Sequence, residues 1–157
     1  MISIIITSYK EPNTIGKAIE SILKTNLRDY EILVTAPDKE TLDAAKKYSK
    51  ENKKIKLIKD SGKGKPLALN LAVFKAKGEI IIINDADWFF TVKSKKEMEE
   101  FMNLFDNPKI GGVAESFPPE WELNRLKKSN LGYKMVAYSS YFWFKFQKQY
   151  FTFEKDD

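Results

Sequence analysis

The sequence predicts an α/β fold, a three-layer sandwich in which a mostly parallel β-sheet is covered by helices on both faces. Two observations support this prediction. Short β-branched runs alternate with amphipathic segments along the chain, and these runs are apolar at nearly every position. Strands covered on both faces lack the polar alternation of a half-exposed strand. Repeated strand and helix units favour parallel neighbours joined by right-handed crossovers.

Five segments have the character of such strands. Isoleucine, valine and leucine dominate most of them, and an acidic residue or a turn follows each one. In chain order they are ISIIIT (2–7), EILVTA (31–36), KIKLIK (54–59), EIIIIN (79–84) and IGGVAE (110–115).

Four amphipathic segments separate these strands. Residues 13–25 carry an apolar stripe at helical spacing, and Asp38 is placed to cap a helix over 39–51. A third helix contains Leu67, Leu69, Ala72 and Val73, and Ser94 with Glu97 forms a capping-box pattern for a fourth.

The composition limits the chemistry that the chain can support. With 157 residues, of which 43% are hydrophobic and 31% charged, it is long enough to bury a substantial core. It contains no cysteine and no histidine, which excludes disulfides, thiolate metal sites and imidazole catalysis. Metal binding or proton transfer must therefore use carboxylates.

The net charge of +5 is concentrated in one stretch. Residues 39–65 hold ten lysines against four acidic residues. Clustered lysines can mark a phosphate-binding surface, but most of these fall on the polar face of a predicted helix, and Tyr48 alone is interleaved to stack on bases. We interpret the stretch as a solvated face and expect no nucleic-acid partner.

No run of 18 apolar residues exists, and the N-terminal MISIIITSYK has neither a basic region nor a cleavage site. The expected location is therefore the cytoplasm, with a peripheral position at the membrane as the alternative.

Polar residues follow the predicted strands at the edge where ligands bind in parallel sheets. Asp85 and Asp87 come directly after four consecutive isoleucines. Two carboxylates so placed can grip Mg²⁺ or Mn²⁺ while leaving coordination positions for phosphate oxygens. The alternative is a polar turn, since Asn and Asp favour strand ends.

Several motifs occur in a fixed order along the chain. They are SIIITSYKE in the first strand and its loop, Gly64-Lys65 with Ala68-Leu69-Asn70, Ala76 with Gly78-Glu79, and Asp85-Ala86-Asp87. Together they resemble family 2 of the glycosyltransferases, which have the GT-A nucleotide-diphospho-sugar transferase fold. The resemblance covers residues 2 to about 114. It implies an inverting, metal-dependent transferase that uses a UDP- or GDP-sugar with Mg²⁺ or Mn²⁺ and a glycan or lipid-linked acceptor.

The resemblance also implies roles for individual residues. The loop after the first strand would line the nucleobase and ribose, the lysine of the Gly-Lys motif would lie near the pyrophosphate, the first aspartate would face the ribose or the metal's waters, and the last would ligate the metal. In this sequence these residues are Thr7, Ser8, Tyr9 and Glu11, then Lys65, then Asp85, and finally Asp87.

Two departures from the family pattern matter. The family usually carries an Asp-Asp-Gly-Ser type turn after the second strand, whereas this chain has VTAPDKE, residues 34–40. Asp38 is either a helix cap or a nucleotide contact. The family's downstream catalytic base and Gln-x-x-Arg-Trp type motif are also not found. Glu115 is the candidate base, followed by the carboxylates Glu154, Asp156 and Asp157.

We therefore expect a donor-binding α/β domain over 1–117 and an aromatic helical extension over 118–157 that represents a truncated acceptor region. The aromatic run at 138–153 would pack against the sheet or contact a missing domain, a second subunit or a membrane surface. The alternative functions are a catalytically incomplete nucleotide-sugar-binding module that acts with a partner and a nucleotidyltransferase.

Overall fold

The computed structural model describes residues 1–90 and 95–113. The strands are β1 (Ile2–Thr7), β2 (Tyr30–Ala36), β3 (Ile55–Lys59) and β4 (Ile80–Asp85), and the helices are α1 (Ile15–Leu23), α2 (Lys39–Glu51), α3 (Lys65–Lys75) and α4 (Lys95–Met102), with a 3₁₀ turn at Asn103–Asp106. The chain divides into two units after Ile110, and the sheet, helices and cleft described below lie in the first.

The four strands form one all-parallel sheet in the order β3-β2-β1-β4. In the central strand β1, Ile4 is in register with Ile32 of β2 and with Ile82 of β4. The α/β prediction is confirmed. Because all strands run in the same direction, their carboxyl ends meet at one edge of the sheet.

Helices α1 and α2 pack on one face of the sheet. This part of the core joins β1, β2, α1 and α2, and its buried members include Ile4, Ile6, Ile32, Val34, Ile15, Ile19, Ile22 and Ala45. The apolar stripe predicted for the first helix is the face of α1 that this core buries.

Helix α3 covers the opposite face, mainly over β1 and β2. Its Ala72 packs with Ile5 and Leu33. On edge strand β4, by contrast, Ile81 and Ile83 of this face are 37% and 56% exposed. Among the described residues, α3 therefore leaves this face of β4 partly exposed, and sequence alone does not reveal which strand lies beyond the reach of this helix.

The helix predictions agree with the structure where it describes the chain. The span of α2 is as predicted, whereas Ser94 of the fourth helix's capping box lies outside the described residues. No strand occurs at 110–113, and the rest of the predicted fifth strand, residues 114–115, is outside the described ranges. Among the helices that are described, none has the length and apolar character needed to cross a bilayer.

Gly78 lies where the chain returns from α3 to β4. A Cβ atom at this position would lie 2.5 Å from the backbone nitrogen of Ser3 and 2.7 Å from the carbonyl carbon of Ile2. The Gly78 amide donates to Ser3 Oγ at 2.8 Å. The glycine of the Ala-x-Gly-Glu motif is therefore required for close approach of two backbones beside β1.

Glu31 of β2 is a buried carboxylate at the same end of the sheet. Its oxygens accept hydrogen bonds from Ser3 Oγ at 2.8 Å, Lys56 Nζ at 2.7 Å and the Lys77 amide at 2.6 Å. Burial alone would raise the pKa of Glu31, but the hydrogen bonds from Lys56, Ser3 and Lys77 outweigh it and lower the pKa. The network ties β1, β2, β3 and the start of β4 together.

Candidate functional site

A cleft of about 480 Å³ lies at the end of the sheet where the carboxyl ends of its strands meet. Its walls come from the loop after β1, the residues that follow β2 and β3, the N-terminus of α3 and the end of β4. The lining residues are Thr7, Ser8, Tyr9, Glu11, Pro37, Asp60, Gly62, Gly64, Lys65, Ala68, Asp85 and Asp87.

Asp85 ends β4 and is held by two neighbours. Thr7 is its register partner on β1 and donates from Oγ1 to Asp85 Oδ1 at 3.0 Å. The Lys65 ammonium forms an ion pair with the same oxygen. The side chains of Lys65 and Asp85 are 51% and 41% exposed, so the pair faces the open cleft and is only weakly stabilising.

Ala86 explains how the second aspartate of the motif is presented. It is fully buried in the core on the α1 and α2 face, and its amide donates to the Thr7 carbonyl at 3.2 Å. This anchoring fixes the backbone between the two aspartates. Asp87 is exposed and lines the cleft beside Asp85.

The two aspartates fit a divalent cation that shares its coordination with a ligand. Within residues 1–90 and 95–113 no group of three or more carboxylates could enclose a metal ion. Mg²⁺ and Mn²⁺ are commonly held by one or two carboxylates, with phosphate and water oxygens completing the shell. Asp85 and Asp87 supply a donor set of this kind.

The loop after β1 is fixed by its own hydrogen bonds. Ser8 Oγ and the Tyr9 amide both donate to Glu11 Oε2, at 2.9 and 3.3 Å. Lys10 adopts a left-handed conformation with φ of 58°, which turns the chain sharply. The Tyr9 ring is 62% exposed and stands at the cleft wall.

Asp38 holds that loop from the side of α2. Its Oδ1 accepts the Thr41 amide at 2.9 Å as the helix cap, and its Oδ2 accepts the Lys10 amide at 2.8 Å. Burial would raise the pKa of Asp38, but hydrogen bonds from Thr41 and Lys10 lower it. Glu11 is anchored to the same helix by its amide, which donates to Thr41 Oγ1 at 3.0 Å.

The N-terminus of α3 provides the positive side of the cleft. Gly62 and Gly64 have φ of 68° and 105°, so both occupy the region that favours glycine. Lys65 begins the 11-residue helix and Pro66 follows it. Backbone N–H groups at a helix N-terminus attract anions, and the Lys65 ammonium adds a full charge. This part of the cleft is suited to a diphosphate.

Asp60 follows β3 and lines the far side of the cleft. Its amide donates to the Ala36 carbonyl at 3.3 Å, and its Oδ1 accepts the Gly62 amide at 2.7 Å. Its Oδ2 is buried and has no hydrogen-bond partner in the part of the chain that the structure describes. In the sequence this carboxylate comes directly after the third predicted strand, and no motif indicates a role for it.

The structure gathers most of the predicted site residues in one cleft: Thr7, Ser8, Tyr9, Glu11, Lys65, Asp85 and Asp87. Asp38 is not among the lining residues, because both its oxygens are used by backbone amides. Glu115 lies outside the described residues. The sequence did not identify Pro37 and Gly62 as cleft-lining residues. Each follows closely after a predicted strand, and this position is the signal that could have indicated them.

Comparisons of the sequence with known families and proteins find glycosyltransferases in each case. The family model described as Glycosyl transferase family 2 matches residues 3–155. The chain is 32% identical over 108 residues to UDP-Glc:alpha-D-GlcNAc-diphosphoundecaprenol beta-1,3-glucosyltransferase WfgD of Escherichia coli, which covers 68% of this chain and 42% of that protein. It is 27% identical over 137 residues to the uncharacterized glycosyltransferase EpsJ of Bacillus subtilis (strain 168), covering 80% and 40%.

Among solved structures, the chain is similar to the mannosyltransferase PcManGT from Pyrobaculum calidifontis in complex with GDP-Man and Mn²⁺. The TM-score is 0.67 at 22% identity, covering 77% of this chain and 37% of that one. Staphylococcus aureus TarS gives a TM-score of 0.57 at 22% identity, covering 74% and 23%. The similarity is one of fold, and the chain spans less than half the length of each of these proteins.

Proposed function

The chain belongs to glycosyl transferase family 2, and from this membership we propose that it binds a nucleotide-diphosphate sugar with a divalent cation in the cleft and transfers the sugar to an acceptor. The observation that carries the proposal is the convergence of Asp85, Asp87 and Lys65 at one strand-end cleft. Two carboxylates would hold the cation, and a lysine at a helix N-terminus would hold the diphosphate.

The reaction breaks the bond between the sugar's anomeric carbon and the diphosphate. Mg²⁺ or Mn²⁺, when bound, would neutralise charge on the departing nucleoside diphosphate. Asp87 and Asp85 would be the protein's ligands to that ion. The Lys65 ammonium and the α3 amides would stabilise the same negative charge. Histidine is not required for this part of the chemistry.

For an inverting reaction, the acceptor hydroxyl attacks the anomeric carbon opposite the leaving diphosphate and loses its proton to a carboxylate. Glu115 remains the proposed base, although it lies outside the described residues. A glycan or lipid-linked acceptor is supported by the name of the Escherichia coli relative, which acts on a sugar linked to diphosphoundecaprenol.

A second candidate function is a donor-binding module that completes its acceptor site with a partner. The Gln-x-x-Arg-Trp type motif of the family is not found among residues 116–157, so no residue of that part of the sequence is assigned to the acceptor by a motif. In this case the aromatic residues 138–153 would contact the partner, a second copy or the cytoplasmic surface of a membrane. These residues lie outside the described part of the chain, so the contact remains a prediction.

Isothermal titration calorimetry and a transfer assay separate these functions. We expect UDP or GDP to bind with Mn²⁺ or Mg²⁺ and to lose affinity when EDTA is added. A donor-binding module would hydrolyse the donor slowly and transfer no sugar to added acceptors, whereas a complete enzyme would transfer it. Equal affinity with and without EDTA would contradict the metal site.

A further inference from the structure

Two buried side-chain oxygens have no hydrogen-bond partner within residues 1–90 and 95–113: Thr35 Oγ1 and Asp60 Oδ2. Thr35 is not among the residues that line the cleft, whereas Asp60 is. A buried carboxylate oxygen without a donor costs roughly 1–3 kcal/mol or more, and native proteins rarely retain one without a reason. The side chain of Asp60 is therefore the unexplained acceptor of the cleft.

Asp60 is far from the proposed metal site. It follows β3, whereas Asp85 ends β4, and the strand order β3-β2-β1-β4 separates these strands by three spacings. At ~4.8 Å per spacing, they are about 14 Å apart along the sheet edge. A nucleoside diphosphate held at its phosphates by Asp85, Asp87 and Lys65 would extend its base toward β3.

Most neighbouring acceptors at that end are already in use. Both oxygens of Asp38 accept backbone amides, and Glu11 Oε2 accepts two donors from its own loop. Ala36, which ends β2, and Pro37, which follows it, have no acceptor side chain. Among the described residues that line the cleft, Asp60 is the carboxylate whose oxygen without a partner is buried, so it is closed to the solvent that can reach an exposed carboxylate.

We propose that Asp60 determines base specificity by accepting a hydrogen bond from a ring N–H of the donor's nucleobase. This inference rests on the proposed function. A carboxylate only accepts, so it suits the N1–H of guanine or the N3–H of uracil. Adenine and cytosine carry an unprotonated ring nitrogen at the corresponding position, and its lone pair would face the carboxylate.

The local structure permits this contact. Oδ1 is held by the Gly62 amide, which keeps the side chain at the cleft wall. Oδ2 is covered in the free protein, but the Cβ–Cγ torsion of aspartate is broad, so a small rotation brings the oxygen to the cleft. Because Oδ2 has no partner to lose among the described residues, the rotation costs at most the hydrogen bond from the Gly62 amide to Oδ1, which moves with it.

The test uses the full chain with Mn²⁺ and compares GDP, UDP, ADP and CDP by calorimetry. A hydrogen bond to a charged group predicts that GDP or UDP binds wild type about tenfold or more tighter than ADP and CDP. Asp60→Asn keeps an acceptor for the Gly62 amide but removes the charge, and should abolish most of this preference. Asp43→Asn, at an exposed position on α2, is the matched charge control and should leave the preference unchanged.

Methylated nucleotides identify the atom that is read. N1-methyl-GDP and N3-methyl-UDP lack the ring N–H and should bind wild type much more weakly than their parents, but bind Asp60→Asn about equally well. If Asp60→Asn weakens all four diphosphates equally, and 2′-deoxy analogues lose that effect, Asp60 holds the ribose and the inference is wrong. Failure of every diphosphate to bind wild type would instead contradict the proposed function itself. Thermal melting of each variant confirms that it is folded.

Discussion

Lys65 and Asp85 form an ion pair inside the cleft, although they belong to different elements 20 positions apart. Their side chains are 51% and 41% exposed, and Thr7 donates to the same carboxylate oxygen. In the free protein, the lysine therefore occupies one of the two carboxylates proposed to hold the metal. Binding of a metal diphosphate would transfer the ammonium from Asp85 to the phosphates.

Replacing this lysine should change two affinities in opposite directions. Lys65→Met removes a competing cation, so Mn²⁺ alone should bind about twofold to fivefold more tightly, as expected for an exposed ion pair. The same variant loses a phosphate contact and should bind Mn²⁺ with GDP or UDP about tenfold more weakly. Calorimetry and manganese paramagnetic resonance measure these constants. Lys63→Met in the same loop is the control, and parallel changes of both affinities would contradict the exchange.

Removal of the Asp87 side chain should make nucleotide affinity independent of the metal ion. In Asp87→Ala we expect the affinity for GDP and UDP to be low and the same with Mn²⁺ or EDTA, because one of the two carboxylates is lost. The side chain is exposed, so the melting temperature should remain close to that of wild type. Retention of a metal-dependent affinity in this variant would show that the ion binds elsewhere.

Asp38 should be a positioning residue for the loop after β1. Asp38→Ala loses the cap of α2 and leaves the Lys10 amide without its acceptor, at a cost of about 1–2 kcal/mol in the free energy of unfolding. Asp38→Asn keeps an oxygen for the cap and should lose less. Urea denaturation measures both, and nucleotide affinity should fall in the same order. A large affinity loss in Asp38→Asn without loss of stability would indicate direct contact with the nucleotide instead.

Because of Glu31, the free energy of unfolding should depend on pH. Its pKa is lower in the folded protein than its ordinary value of 4.5, so it contributes stability above that pH and loses the contribution as pH falls through its folded pKa. The difference in unfolding free energy between wild type and Glu31→Gln should therefore be largest near pH 7 and shrink toward pH 3. Urea titrations at several pH values measure it. Glu51→Gln, at the exposed end of α2, should show a smaller dependence, and equal curves for both variants would contradict the assignment.

Gly78 should not tolerate a side chain. Gly78→Ala places a methyl group against the backbone of β1, which cannot move aside as a side chain would, and overpacking of this kind costs about 1–3 kcal/mol. Gly112→Ala is the matched control, because its Cβ would meet no atom within 4 Å. Thermal and urea denaturation compare the two, and equal stability would contradict the close approach.

Much of the fold could be predicted because its signals are local. The β-branched runs locate all four observed strands to within a few residues, and Asp38 locates the start of α2. The exposure of Ile83 could not be predicted, since it depends on strand order and on where α3 packs. Both are properties of the assembled sheet.

Some residues of the candidate site could likewise be predicted from the sequence, and others could not. Asp85 and Asp87 are recognisable because parallel strands bring their carboxyl ends together. Asp38 was predicted as a cap or a nucleotide contact, and the structure shows the cap, but its hydrogen bond from the Lys10 amide could not be predicted, because Lys10 lies 28 positions away in a left-handed turn. The uncommitted oxygen of Asp60 likewise becomes visible only when all its neighbours are in place.

The hydrogen bond between Thr7 and Asp85 joins residues 78 positions apart. Strand β1 can pair with β2 as soon as the first crossover forms, but its other edge must wait for β4, the last in sequence of the four described strands. Pairings of such long sequence separation close late and slowly. The two aspartates consequently reach the cleft only when β4 docks, so the capacity to bind a nucleotide should appear at the rate of the final folding phase. The rate at which nucleotide binding appears during refolding should therefore report when β4 joins the sheet.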